Sequence, residues 1–208
     1  MLILLLDGGG TSHASANLRT SLGVAHHEGH FTNRALCENG YSEQIEKICA
    51  LRPDSLILRE KDLSEEEYGE LAEKINEICR RHGVPLYIHS HFETAEKLGI
   101  SNIHLPLFML EKHGGLRGRF ENISVSCHSR EDALKAEKLG ATRIVLGNIF
   151  ETDCKKGLRG KGLDFLRDVC LSTSLPVWAI GGITPGNIES VINAGAAGGC
   201  MMSGFMKL

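Results

Sequence analysis

The sequence predicts an α/β protein built as a single TIM-type (β/α)8 barrel, and three observations carry that prediction. From about residue 40 onward, helix-like and strand-like stretches alternate with short turns. The pieces Lys97-Leu-Gly-Ile, Lys138-Leu-Gly-Ala and Asn193-Ala-Gly-Ala repeat one order, helix end then glycine then strand. The strands are nearly continuous apolar runs, the pattern of parallel β-structure buried on both faces. No GxGxxG run follows a strand, so a dinucleotide-binding doubly wound sheet has no direct support.

The elements follow in order. Met1 to Leu6 is an apolar run closed by Asp7 and three glycines. It is too short for a signal-peptide core or a membrane span and reads as a strand. Gln44 to Leu51 reads as a helix and Ser55 to Leu58 as a buried strand. Ser64 and Glu67 have capping-box spacing, because each side chain can satisfy an orphan amide of the other's backbone. Behind them Tyr68, Leu71, Ala72, Ile75, Ile78 and Cys79 share one helical face, and Gly83 sits where a left-handed cap is wanted.

Strands are predicted at Val84 to Ile88, Asn102 to Leu105, Ile123 to Ser126, Thr142 to Leu146, Pro176 to Ile180 and Gly199 to Met202. A short helix ends at Gly99, Ser129 caps a helix running to Leu139, and Leu163 to Leu171 forms another. Pro185 is expected at the first position of a helix reaching Ala194. The sequence stops just after the last strand, so the final helix of the barrel is expected to be absent. Residues 1–28 are expected to form an N-terminal extension that covers the exposed patch, and residues 29–208 the barrel domain.

A length of 208 residues suits one domain near the lower limit for such a barrel. A formal net charge of −3 offers no long-range attraction for nucleic acid or an anionic membrane, and neither partner is expected. The seven cysteines are dispersed without a CxxC pair, which points to reduced thiols in the cytoplasm rather than disulfides or structural zinc. A homo-oligomer is the expected assembly.

In such barrels the working residues lie at the C-terminal ends of the strands. Reading those ends gives Arg59 and Lys61 after the second strand, His89-Ser90-His91 after the third and Ser126-Cys127-His128 at the fifth. A polar loop carrying Cys154, Lys155 and Lys156 follows the sixth, Gly181-Gly182 the seventh and Ser203-Gly204 the eighth. The glycine pairs let backbone amides approach an anion, so a phosphate is expected there. Arg59, Lys61 and Lys155 are candidate anion partners, with surface ion pairing or solvation as the alternative. His128 is the candidate catalytic residue, because an imidazole gives and takes a proton near neutral pH. Alternation along a strand would put His89 and His91 on one side, where they could share a metal, but no third ligand is evident and no metal is expected.

Taken together, Leu58 to Lys61, Ile103-His104-Leu105, Val125 to Ser129, Gly147 to Gly157, Ala179 to Ile183 and Met202-Ser203-Gly204 resemble the thiamine phosphate synthase superfamily over about residues 30–205. The resemblance places Phe31 to Arg34 at the end of the first strand. It implies a small phosphorylated thiazole as substrate, with Ser126 among the binding residues. Two branches share the scaffold. The synthase branch couples a pyrimidine pyrophosphate to a thiazole phosphate with Mg²⁺. Its third strand ends in Asn-Asp-Arg, where this chain has His89-Ser90-His91, and a further Asp falls where this chain has Met109. The thiazole tautomerase (TenI-type) branch lacks those aspartates, needs no cofactor, has a loop similar to Phe150 to Gly157 and has its histidine at His128. The tautomerase is therefore the main expectation and the Mg²⁺-dependent synthase the alternative. A non-catalytic binder of a thiazole or pyrimidine phosphate is a third reading.

Overall fold

The structure, a computed structural model, describes residues 2–5, 40–151 and 159–201. Its strands are β1 (Leu2–Leu5), β2 (Ser55–Leu58), β3 (Leu86–His89), β4 (Asn102–Pro106), β5 (Asn122–Cys127), β6 (Arg143–Gly147), β7 (Val177–Ile180) and β8 (Gly198–Cys200). Its helices are α1 (Tyr41–Ala50), α2 (Glu65–His82), α3 (Phe92–Lys97), α4 (Leu107–Lys112), α5 (Arg130–Lys138), α6 (Gly162–Ser172) and α7 (Ile188–Asn193). The eight strands form one sheet in sequence order, and β2 to β8 are parallel. The sheet curls until β1 lies against β8, which is the architecture of a (β/α)8 barrel.

The first strand departs from the all-parallel expectation. Leu2–Leu5 is a strand, as its apolar run predicts, but it runs antiparallel to β2, with Leu2 opposite Leu58 and Leu5 opposite Ser55. Phe31 to Arg34 and the boundary at residues 28 and 29 lie outside the described residues. Among the described residues no helix is long and apolar enough to cross a membrane.

Alternation along the strands divides the core in two. Leu56, Leu58, Leu86, Ile88, Ile103, Leu105, Ile123, Val125, Ile144 and Leu146 face the helices and join their buried residues in one cluster. Ile57, Tyr87, Val145, Trp178 and Cys200 form a separate cluster on the opposite face of the sheet, inside the barrel. Both faces of β2 to β8 are thus buried, which is why these strands read as apolar runs.

The helix boundaries follow from capping. Ser64 and Glu67 form the predicted box, and Gly83 adopts φ +68° at the C-cap. Ser129 and Asp132 form a second box at the start of α5. The expectation at Pro185 is corrected. Residues 184–187 make a turn in which the Asn187 and Ile188 amides donate to the Thr184 carbonyl, so α7 begins at Ile188, with Asn187 and not proline at its entry. The stretch from Pro106 to Arg119, irregular in sequence, contains α4 and a 3₁₀ turn at Leu116–Gly118.

One buried side chain ties the outer layer to the barrel mouth. The Tyr68 hydroxyl on α2 donates to the Leu58 carbonyl at 2.7 Å and accepts from the His89 amide at 3.2 Å. It therefore braces the ends of β2 and β3, from which Arg59 and His89 project. Tyr68→Phe leaves a buried carbonyl and a buried amide without a partner. A loss of about 1–3 kcal/mol in urea unfolding is expected.

Candidate functional site

The C-terminal ends of β2 to β7 bring most of the sequence-predicted residues to one rim. Arg59 follows β2 directly and is half-buried; burial lowers its pKa, and the Glu60 carboxylate partly offsets this. Glu60 is buried and accepts a hydrogen bond from Tyr41 at 3.3 Å. Lys61, two residues beyond β2, is exposed.

The structure separates the two histidines after β3. The His89 ring sits 5.5 Å from the ring of His104 on β4. The His91 ring stacks on Tyr68 at 3.8 Å, and its Nδ1 meets the Glu65 carboxylate. Ser90 lies between them with φ +66°, and this left-handed residue breaks the alternation on which a shared metal depended. Burial, then the positive charges of Arg59 and Lys61 and the neighbouring His91, depress the His89 pKa to about 3. His89 is therefore a neutral group at physiological pH.

Below the rim runs a polar column that sequence reasoning missed except for its last member. His104 is 1% exposed, with Nδ1 2.8 Å from the Ser124 hydroxyl and Nε2 2.8 Å from the Ser126 hydroxyl. Burial, reinforced by His89, Arg143 and Arg59, holds its pKa well below the ordinary value. Deeper still, the Arg143 guanidinium lies 3.7 Å over the Tyr87 ring and donates to Ser55 at 3.3 Å. Burial lowers its pKa to about 10, so it remains charged. The signal was present in sequence as polar residues at every second position: Asn102 and His104 on β4, and Asn122, Ser124 and Ser126 on β5.

His128 stands just beyond β5, with its backbone fixed by the start of α5. The Asp132 carboxylate accepts from the His128 amide at 2.8 Å and from the Ser129 amide at 3.1 Å, and Lys161 donates to the His128 carbonyl. The imidazole Nδ1 lies 3.1 Å from the Gly147 carbonyl. A carbonyl can only accept, so Nδ1 carries the hydrogen, and in the neutral form of the ring the lone pair is on Nε2. The residue is exposed at the rim, where that lone pair can act as a base.

Gly181 and Gly182 also lie at the rim, packed against protein backbone. Their φ values are +99° and +65°; a Cβ at Gly181 would meet Asn148 at 2.8 Å, and one at Gly182 would meet the Glu151 carbonyl at 2.5 Å. The Ile149 and Phe150 amides donate to the Ile180 and Gly181 carbonyls at 2.9 Å. Close backbone approach thus requires both glycines whether or not an anion binds. Lys155, Ser203 and Gly204 lie outside the described residues.

The Mg²⁺ implied by the synthase branch can be tested against the donors present. Ser90 is a buried hydroxyl that makes no hydrogen bond among the described residues, and Met109 is a half-buried thioether on α4. Neither is the hard anionic donor that Mg²⁺ requires. Among the described residues no group of three His, Cys, Asp or Glu side chains could hold a metal ion. These residues do not fit the ion.

Residues 30–205 match the family model described as thiamine monophosphate synthase. The thiamine-phosphate synthase of Clostridium acetobutylicum is 34% identical over 176 residues, covering 84% of this chain and 83% of the relative. The thiamine-phosphate synthase of Halalkalibacterium halodurans is 35% identical over 156 residues, covering 72% of each chain. The solved thiamine phosphate pyrophosphorylase of Pyrococcus furiosus superposes with a TM-score of 0.73 at 24% identity, covering 86% of each chain, and supports the fold. The names of these relatives favour the coupling reaction, the alternative of the sequence reading, over the tautomerase.

Two outcomes are expected from this geometry. Gly182→Ala forces a Cβ into the Glu151 carbonyl and Phe150, so a lower melting temperature and faster proteolysis at residues 148–151 are expected. For His89, the folded pKa of about 3 lies below the ordinary 6.5, so between these values the unfolded chain binds the proton and the folded one does not. Stability is therefore lost as pH falls from about 6.5 towards 3. His104 acts in the same direction. Urea midpoints should fall between pH 7 and 5, above the carboxylate range, and His89→Asn should flatten that dependence.

Proposed function

This chain belongs to the thiamine monophosphate synthase family and so to the enzymes of thiamine biosynthesis, and on that premise we propose that it is a thiazole tautomerase. The observation that carries this reading is the His128 ring. Its Nδ1–H is engaged by the Gly147 carbonyl, so in the neutral ring Nε2 is the nitrogen that can act as a base at the rim. That nitrogen takes a proton from one ring atom of a non-aromatic carboxythiazole phosphate and returns it to another. Atoms and charge balance, and the gain of aromaticity drives the step.

The other residues bind and orient. Arg59 is half-buried at the rim and faces the substrate carboxylate, with Lys61 and Lys155 as further cations. Gly181 and Gly182, with Ser203 and Gly204, hold the phosphate, and Ser126 contributes a hydroxyl beneath the ring. Ser90 and Met109, which replace hard oxygen donors, support a reaction that needs no departing pyrophosphate.

The names of the relatives support a second reading, coupling of a pyrimidine pyrophosphate to a thiazole phosphate. In that reaction Arg59 and Lys61 would face the pyrophosphate charge. Turnover of the carboxythiazole phosphate, metal-free and then with Mg²⁺ and the pyrimidine pyrophosphate, separates the readings. Metal-independent aromatisation that falls about 10²–10⁴-fold in His128→Ala, with phosphate affinity retained, is expected for the tautomerase. Mg²⁺-dependent coupling establishes the synthase instead. Silence in both assays with intact binding establishes a non-catalytic binder.

A further inference from the structure

The column beneath the rim has a direction that follows from hydrogen counting. Ser124 is fully buried, and among the described residues its hydroxyl has one hydrogen-bond partner, Nδ1 of His104 at 2.8 Å. A hydroxyl hydrogen sealed from water needs an acceptor, because leaving it unpaired costs about 1–3 kcal/mol. The acceptor present is the Nδ1 lone pair. The proton of the neutral ring then resides on Nε2, which donates to the Ser126 oxygen at 2.8 Å. The reverse arrangement would leave the Ser124 hydrogen unpaired inside the barrel. An imidazolium would do the same, and it would stand beside His89, Arg143 and Arg59 in a site shielded from water.

Ser126 lies at the end of β5, two residues nearer the mouth than Ser124 and half-buried rather than sealed. Its oxygen is occupied as an acceptor from His104, and among the described residues its own hydrogen meets no acceptor, so it can point into the mouth. We propose that His104 is a positioning residue, held as the Nε2–H tautomer, that makes Ser126 a hydrogen-bond donor to an acceptor atom of the substrate. The matching ligand chemistry is a phosphate or carboxylate oxygen or an unprotonated ring nitrogen. This rests on the reading that a thiazole phosphate occupies the mouth, and it adds which hydrogen-bonding edge of that molecule faces β5.

The test is a long-range proton–nitrogen correlation spectrum of histidine-labelled protein at pH 7, with His104→Gln identifying the resonance. A protonated Nε2 beside an unprotonated Nδ1 is expected; a protonated Nδ1, alone or together with Nε2, overturns the proposal. Calorimetric titration with inorganic phosphate and with thiazole phosphate provides the second readout. Ser124→Ala releases the ring and is expected to weaken thiazole phosphate binding about five- to tenfold, roughly one hydrogen bond, while Ser124→Thr restores it. Parent affinity in Ser124→Ala overturns the proposal. The spectrum needs no substrate and the titration no turnover. A protein that passes both yet aromatises nothing refutes the tautomerase reading and leaves the tautomer assignment standing.

Discussion

A parallel strand with both faces buried must place every second side chain inside the barrel, where water is scarce and polar groups have to find one another. Most positions here meet that demand with apolar residues: Ile57, Val145 and Trp178 fill the interior as one cluster. On β4 and β5 polar residues take the same positions, and the register decides which of them meet. His104 pairs with Ser124 across the ladder and reaches Ser126 one step higher. The arrangement at the mouth depends on this enclosure. It keeps two histidines neutral, fixes hydrogen-bond directions and leaves Ser126 as the column's outlet.

The rim is held from outside by a different device. Tyr68 links the end of β2 to the end of β3, and the box at Ser129 and Asp132 also fixes the His128 backbone. Helix starts and strand ends are thus stabilised by the same few side chains, a coupling that sets reactive groups on rigid elements. The glycines at 147, 160, 181 and 182 bring the segment after β6 down against the end of β7. A side chain at any of them would meet a neighbouring atom at 2.5–2.8 Å.

Family membership and residue chemistry point to different members of one pathway. The relatives are named for coupling, whereas Ser90 and Met109 supply neither carboxylate that the synthase resemblance leads one to expect. The two are compatible if a shared phosphate-binding barrel carries different reactions, since chemistry resides in a few rim side chains rather than in the fold. A barrel mouth suits such divergence because each strand end can change without disturbing the layer beneath it.

The sequence by itself determined most of the elements, the capping box at Ser64 and the cap at Ser129, the parallel strands from β2 to β8, and His128 and Ser126 at the end of one strand. These follow from local periodicity and from side chains that bond their own backbone, so a one-dimensional pattern contains them. It left three things open that only the tertiary structure decided. Ser90's left-handed backbone sends His89 and His91 to different surroundings, which no alternation rule foresees. Gly181 and Gly182 press against residues 148–151, far from them in sequence. His104 finds two serines 20 and 22 residues away, and their identity depends on how β4 and β5 align. Face is written in spacing, but partner is written in register, and register is settled only when the strands pair.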